Sequence, residues 1–396
     1  MSKISQLEKV MPVAPLKLIV MNGAERLGDN VNRYLVNFRK EINNKFKNDP
    51  AFNGYTSNNY IVDSKCPRFG TGEAKGVIAE SVRGKDVYII SDVTNYSITY
   101  KVNGYENHMS PDDHYQDLKR IISACNGKAH RVTVIMPFLY EGRQHKRTAR
   151  ESLDCAYALK ELAKMGATNF ITFDAHDPRV QNSTPLYGFD NFSPVYQITK
   201  ELLNHVKDLV IDKEHTIIIS PDEGALDRAV YFSTLLSVDT GMFYKRRDYT
   251  KVVNGKNPIV AHEFLGENID GKDVIIMDDM ISSGESMIDT AKQLKKMNAR
   301  RVFLCCTFGL FTSGMATFDE AHDKGYFDYI ITTNLSYMPK EISNKPYLLV
   351  ADMSKFMASI IDFSNHDVSL SNVLTPAEKI HEIVDKYNNR SFEDDI

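Results

Sequence analysis

Val274-Ile275-Ile276-Met277-Asp278-Asp279-Met280-Ile281-Ser282-Ser283-Gly284-Glu285-Ser286-Met287 is the stretch on which the fold turns. A short apolar run ends in two adjacent carboxylates, a Ser-Ser-Gly turn follows, and Met287, Ile288, Ala291 and Leu294 then recur at helical spacing. The pattern predicts strand, loop, helix. In an open parallel sheet the loop at the carboxyl end of such a strand is where ligands bind. Ser282, Ser283 and Ser286 supply hydroxyls, Gly284 permits close backbone approach, and the free amides of a helix N-terminus favour an anion such as phosphate. Asp278 and Asp279 do not hold phosphate, but they accept hydrogen bonds from sugar hydroxyls or hold a cation beside it. Together these residues suggest a phosphorylated sugar; an ordinary βα turn whose serines cap a helix is the alternative reading.

Outside this stretch, 396 residues are enough for roughly two to three domains, each with its own core. A content of 42% hydrophobic and 25% charged residues is that of a globular chain, and a net charge of −4 gives no basic surplus for nucleic acid. The five cysteines show no paired metal spacing, and Cys305 and Cys306 lie within an apolar run that reads as core. No signal peptide and no run near eighteen apolar residues is present, so a soluble cytoplasmic protein that does not engage a membrane is expected.

Two internal echoes bear on domain organisation. Gly84-Lys85-Asp86-Val87-Tyr88-Ile89-Ile90-Ser91-Asp92 matches Gly271-Lys272-Asp273-Val274-Ile275-Ile276-Met277-Asp278-Asp279 at most positions. Leu162-Ala163-Lys164-Met165-Gly166-Ala167 likewise answers Leu294-Lys295-Lys296-Met297-Asn298-Ala299, each closing a helix before an apolar strand. The expectation is an α/β protein with two related domains, 1–188 and 189–396, each a mainly parallel sheet flanked by helices, the C-terminal tail packing back on the first. Asn95–Asp117 is polar and reads as an insertion or mobile surface loop with little to bury. Gln181–Pro194 reads as a loop and Asp248–Asn257 as a flexible segment.

Other strand ends carry chemistry too. Arg131–Phe138 runs into Arg143-Gln144-His145-Lys146-Arg147 and Arg150, a dense local positive field. Asn169–Phe173 ends in Asp174-Ala175-His176, a carboxylate and an imidazole two residues apart that suit a divalent metal or a phosphate. Thr216–Ser220 ends in Pro221-Asp222-Glu223-Gly224, and Lys245-Arg246-Arg247 follows one βα unit later. Cations, a metal-type pair, a further acid and a phosphate loop, all at strand ends, fit a reaction between two phosphorylated, metal-bound partners, in which positioning and charge neutralisation dominate.

Asp278-Asp279-Met280-Ile281 followed by small residues, Gly284 and a hydroxyl residue resembles the phosphoribosyl-pyrophosphate loop of type I phosphoribosyltransferases, most closely that of the ribose-phosphate pyrophosphokinases. Phe69-Gly70-Thr71-Gly72-Glu73 is similar to that family's Phe-Ser-Asp-Gly-Glu loop, Arg143-Gln144 to its Arg-Gln, and Asp174-Ala175-His176 to its Asp-Leu-His cation motif. Ser220-Pro221-Asp222, Lys245-Arg246-Arg247 and Ser364–Ser371 fall in family order as well, so the resemblance covers almost the whole chain.

The resemblance implies two phosphoribosyltransferase-like domains and the transfer of diphosphate from ATP to the anomeric hydroxyl of ribose 5-phosphate. ATP would meet Phe69, Arg143 and Gln144, with Glu73 supplied by a neighbouring subunit of a homo-oligomer that shares its active site. Mg²⁺ would be held by His176 and Asp222, with Asp174 supporting. Asp278 and Asp279 would take the ribose hydroxyls, Ser282, Ser283, Gly284 and Ser286 the 5-phosphate, and Lys245, Arg247 and His176 would be catalytic. This chain departs from the family at Ser282, which removes a carboxylate, at Glu285, which adds one near the phosphate, at His145, which replaces an acid, and at Thr71. A non-catalytic regulatory relative and a phosphoribosyltransferase are the alternative readings.

Overall fold

The computed structural model describes residues 7, 10–46, 52, 55–247, 259–371 and 376–389, without the side chains of 245–247 and 259–262. The chain divides into two compact units: Met1–Ser193 with Asn334–Tyr337 and Asp352–Leu374, and Pro194–Thr333 with Met338–Ala351 and Thr375–Ile396.

In chain order the first unit contains β1 (Leu16–Val20), α1 (Glu25–Lys45), the two-residue strands β2 (Ser64–Lys65) and β3 (Val77–Ile78), β4 (Asp86–Ile90), β5 (Thr99–Val102), β6 (Tyr105–His108), α2 (Pro111–Ala124), β7 (Arg131–Ile135), α3 (Asp154–Lys164), β8 (Asn169–Phe173) and β9 (Gly188–Phe192). Its main sheet runs β1-β4-β7-β8-β9, every pairing parallel. Parallel strands are covered on both faces and so read as unbroken apolar runs; all five residues of β4 are buried. Val87 and Ile89 pack with Leu118, Ile121 and Ile122 of α2 and with Leu159 and Leu162 of α3.

The second unit contains α4 (Val195–His205), β10 (Thr216–Ser220), α5 (Leu226–Leu236), β11 (Asp239–Arg247), β12 (Ile259–Leu265), β13 (Asp273–Ile281), α6 (Glu285–Lys296), β14 (Arg301–Gly309), α7 (Ala316–Asp323), β15 (Tyr329–Thr333), the short α8 (Lys340–Ser343) and β16 (Leu348–Ala351). The sheet order is β12-β11-β10-β13-β14-β15-β16, parallel except for β11 against β12. Alternation along β13 serves both faces: Val274 and Ile276 pack with Met287, Ile288 and Phe318, whereas Ile275 and Met277 pack with Ile198, Leu202 and Phe232. Two further helices close the chain, α9 (Ser354–Asn365), which lies on α1 in the first unit, and α10 (Ala377–Asn388), which packs on α4 and α5 in the second.

Asn95–Asp117 is not a loose loop. It forms the antiparallel β5–β6 hairpin and the first half of α2, with Met109, His114, Tyr115 and Asp117 buried. Ser110 and Asp113 make a capping box that starts α2: the Ser110 hydroxyl accepts from the Asp113 amide, and the Asp113 carboxylate accepts from the Ser110 amide at 2.9 Å. Gln181–Pro194, expected as a loop, holds the edge strand β9, while Asp248–Asn257 lies outside the described residues. Cys305 and Cys306 are fully buried and free, as their apolar setting indicates.

Candidate functional site

In the second unit the site grows from β13. This strand is nine residues long and pairs with β14 as far as Ile281↔Gly309. The two acids therefore stand inside the strand and not at its end. Asp279 is buried and Asp278 half-buried. Burial, the Asp279 carboxylate and Asp222 all push the Asp278 carboxyl well above the usual carboxylate range, against the opposing pull of Arg228. The Arg228 guanidinium stands 3.9 Å from Asp278, and the Asp279 amide donates to Asp278 Oδ1 at 2.8 Å. Repulsion held in place by the fold marks a group awaiting a partner that brings hydroxyl donors or positive charge.

Gly284 fixes the turn that follows. Its φ of 84° lies in the left-handed region, and a Cβ there would fall 2.0 Å from the Phe318 ring. No side chain caps α6 at Gly284, and the N-terminus of a helix is the end that favours an anion. Ser283 and Ser286 are half-buried beside it, and Glu285 is exposed as the first residue of the helix. Ser282 is tied sideways: its hydroxyl lies 3.0 Å from that of Thr312, and its carbonyl accepts from the Thr312 amide at 3.0 Å. Asp222 uses Oδ1 to accept from the amides of Gly224 and Ala225, which holds the β10 loop in shape. The backbone of β11 carries Lys245 and Arg247 opposite His262 and Ile259, but their side chains lie outside the described residues.

In the first unit, β7 and β8 are neighbours, and their loops meet. The His145 ring lies 5.5 Å from that of His176, and His145 Nε2 is 3.3 Å from Asp177. Hydrogen bonds from Arg179, with the nearby His145, pull the Asp177 carboxyl down to about 2. Asp174 turns the chain at the end of β8 with a φ of 43°, its amide donating to Phe192 O at 2.9 Å, and His176 is exposed two residues later. Arg143 is exposed, whereas Gln144 braces its own loop by donating to the carbonyls of Ser152 and Lys146. Phe69–Glu73 has a separate support in the β5–β6 hairpin, and Phe69 is 53% exposed.

Among the described residues no three His, Cys, Asp or Glu side chains gather into a cage for a metal ion. Asp174 and Asp222 still suit Mg²⁺ by chemistry, since that ion binds one or two carboxylates and takes its remaining ligands from water and substrate phosphates. Arg228, Thr312 and Phe318 shape the site but carry no sequence motif. Arg228 sits on a helix six residues beyond Asp222, and Thr312 and Phe318 come from the segment after β14, so only the three-dimensional pairing reveals them.

The family description "N-terminal domain of ribose phosphate pyrophosphokinase" matches residues 16–166, and "Phosphoribosyl transferase domain" matches residues 191–337. A ribose-phosphate pyrophosphokinase of Nostoc sp. is 28% identical over 314 residues, 77% of this chain and 84% of that protein. One from Pasteurella multocida is 28% identical over 317 residues, 79% of this chain and 91% of that protein. The crystal structure of phosphoribosylpyrophosphate synthetase from Mycobacterium smegmatis superposes with a TM-score of 0.68 at 20% identity, covering 89% of this chain and 99% of that one, a likeness of fold. With both halves matched in order and the paired acids, the glycine-pinned turn and the uncapped helix in place, the chain belongs to the ribose-phosphate pyrophosphokinase family.

Proposed function

We infer that this protein is an enzyme that transfers the β,γ-diphosphoryl group of ATP to the anomeric hydroxyl of ribose 5-phosphate, giving phosphoribosyl pyrophosphate and AMP. The observation that carries the reading is the β13 turn, where paired carboxylates precede a glycine-pinned turn and a helix N-terminus without a side-chain cap. Asp278 and Asp279 hold the ribose hydroxyls, and the first-turn amides of α6 with Ser283, Gly284 and Ser286 hold the 5-phosphate, which fixes the anomeric hydroxyl for attack on the β-phosphorus. Ser282 shapes this loop through Thr312. In the first unit Phe69 stacks on adenine, Glu73 approaches from a neighbouring subunit of a homo-oligomer, and Arg143 with Gln144 meets the ATP phosphates. Lys245 and Arg247 neutralise the charge that develops on transfer. His176, Asp174 and Asp222 are the groups that would hold Mg²⁺, which when bound neutralises phosphate charge. No described helix is long and apolar enough to cross a membrane; we place the protein in the cytoplasm.

The test is incubation of the purified protein with ATP, ribose 5-phosphate and Mg²⁺, following AMP and phosphoribosyl pyrophosphate together. Appearance of both in equal amounts is expected. ADP in place of AMP would mean ordinary phosphoryl transfer, and ATP binding without turnover would make the chain a regulatory relative.

A further inference from the structure

We propose that the β5–β6 hairpin is a positioning device for the Phe69–Glu73 loop, and that Tyr100 and Val102 thereby set how tightly the chain holds the base of its nucleotide. This rests on the assignment of Phe69 to adenine.

The loop closes on itself, the Phe69 amide donating to Glu73 O at 2.7 Å and the Gly72 amide to Phe69 O at 2.9 Å. Closure alone does not aim a half-exposed aromatic ring, because Gly70 and Gly72 leave the backbone conformational freedom. The hairpin removes that freedom. Asn103 and Gly104 form its turn with φ values of 49° and 86°, the left-handed pair that suits a two-residue hairpin connection. From this turn the Asn103 amide donates to Gly70 O at 2.8 Å.

β5 alternates, with Tyr100 and Val102 turned inward and Thr99 and Lys101 exposed. Gly72, with a φ of 92°, rests against those inward side chains: a Cβ there would lie 2.8 Å from Val102 Cγ2 and 3.6 Å from Tyr100 Cε2. Arg68, the residue before Phe69, lays its guanidinium 4.6 Å from the centre of the Tyr100 ring and donates to Asp117 at 2.8 Å. The Tyr100 hydroxyl donates to Asp113 at 3.0 Å, the same carboxylate that completes the capping box of α2. A continuous path thus runs from a helix anchored in the core, through Asp113, Tyr100 and Arg68, to Phe69. β6 is exposed along its whole length, so the support comes from β5 and the turn.

Tyr100 and Val102 are positioning residues, and the test reads ATP binding directly so that it does not depend on turnover. Calorimetric titration of the full chain with ATP and with ribose 5-phosphate is made for Tyr100→Ala, Tyr100→Phe, Val102→Ala and Phe69→Ala, together with amide hydrogen exchange over residues 68–75. Tyr100→Ala is expected to raise the Kd for ATP about tenfold and to speed exchange in the loop, leaving ribose 5-phosphate binding unchanged. Tyr100→Phe keeps the ring under Arg68 and recovers most of the affinity, and Val102→Ala loses about threefold without touching Arg68 or Asp113. If Phe69→Ala weakens ATP binding while Tyr100→Ala and Val102→Ala change neither affinity nor loop exchange, the positioning role is overturned. If Phe69→Ala leaves ATP binding intact, the adenine assignment itself fails and the proposal with it. Faster exchange throughout α2 with loss of both ligands would make Tyr100 a general packing residue and would also overturn it.

Discussion

The end of β4 in the first unit and the end of β13 in the second begin from the same plan and finish differently. Each strand is entered through a left-handed glycine, Gly84 or Gly271, and opens with a buried aspartate that takes a bidentate hydrogen bond from the arginine at the head of the next strand. Arg131 grips Asp86 at 2.9 and 2.7 Å, and Arg301 grips Asp273 at 2.9 and 2.7 Å. The helix before each of these next strands is followed by a left-handed residue, Asn126 before β7 and Asn298 before β14. At the far ends the likeness stops. β4 is five residues long, and Asp92 just beyond it accepts from the amide and hydroxyl of Thr94 and from the Tyr337 amide, its charge absorbed in a turn. β13 runs on to nine, and Asp278 is left against Asp279 and Asp222 with one guanidinium 3.9 Å away. The same βα frame therefore holds Asp92 by hydrogen bonds within its own turn and sets Asp278 among like charges, with the Asp279 amide and Arg228 acting against them.

Four substitutions break or sharpen this contrast. Gly284→Ala meets both a left-handed backbone and the Phe318 ring, so it should cost at least about 3 kcal/mol of stability and abolish ribose 5-phosphate binding, as read by denaturant melts and titration. Asp92→Ala strips the turn of three partly buried hydrogen bonds and should destabilise by about 2 kcal/mol, while the folded protein binds ribose 5-phosphate as before. Asp278→Asn should act in the opposite sense. The raised Asp278 carboxyl binds its proton more tightly in the folded chain than in the unfolded one, so its stability is fully present below the ordinary carboxylate range and lost as pH rises through the folded value. The variant should therefore melt with the parent near pH 4, the range of a free aspartate, and higher than the parent at pH 8 by about 1 kcal/mol, with turnover reduced on the order of a hundredfold. Equal melting at both values would remove the repulsion argument. Glu285→Gly is the smallest change: loss of an acid from the first turn of α6 costs about 0.5 kcal/mol, and because Glu285 is exposed, ribose 5-phosphate affinity should stay equal or improve. A large loss would give Glu285 a positive role.

Buried parallel strands were readable because burial on both faces leaves no polar residue in the run, as in Ile217-Ile218-Ile219 and Val274–Met277. The hairpin was not readable in this way. Tyr105-Glu106-Asn107-His108 is exposed on every side, so no alternation distinguishes it from a loop, although Asn103-Gly104 and the Ser110–Asp113 capping box were local clues. β9 is similarly disguised, with Gly188 exposed and only Phe192 fully buried. In the candidate site, the strand, turn and helix that carry Asp278 through Ser286 were legible as one motif. Arg228 and Thr312 were not, because sequence spacing says nothing about which separate loops a fold brings face to face.

Helix α9 has a consequence for the order in which the molecule is made. Arg39 of α1, 2% exposed, is neutralised by Asp362 at 2.8 Å and donates to the Asn365 side chain, partners 323 and 326 positions further along. Phe356 from the same helix covers Phe173 and Phe192 at the sheet edge. During synthesis from the N-terminus, α1, β8 and β9 leave the ribosome before the residues that neutralise and cover them exist. A guanidinium and an aromatic edge meant for the interior must wait in water through the translation of most of the second unit. The first unit is thus early in sequence and late in completion, and a nascent chain stalled before Asp362 would carry an uncovered sheet face for chaperones to shield.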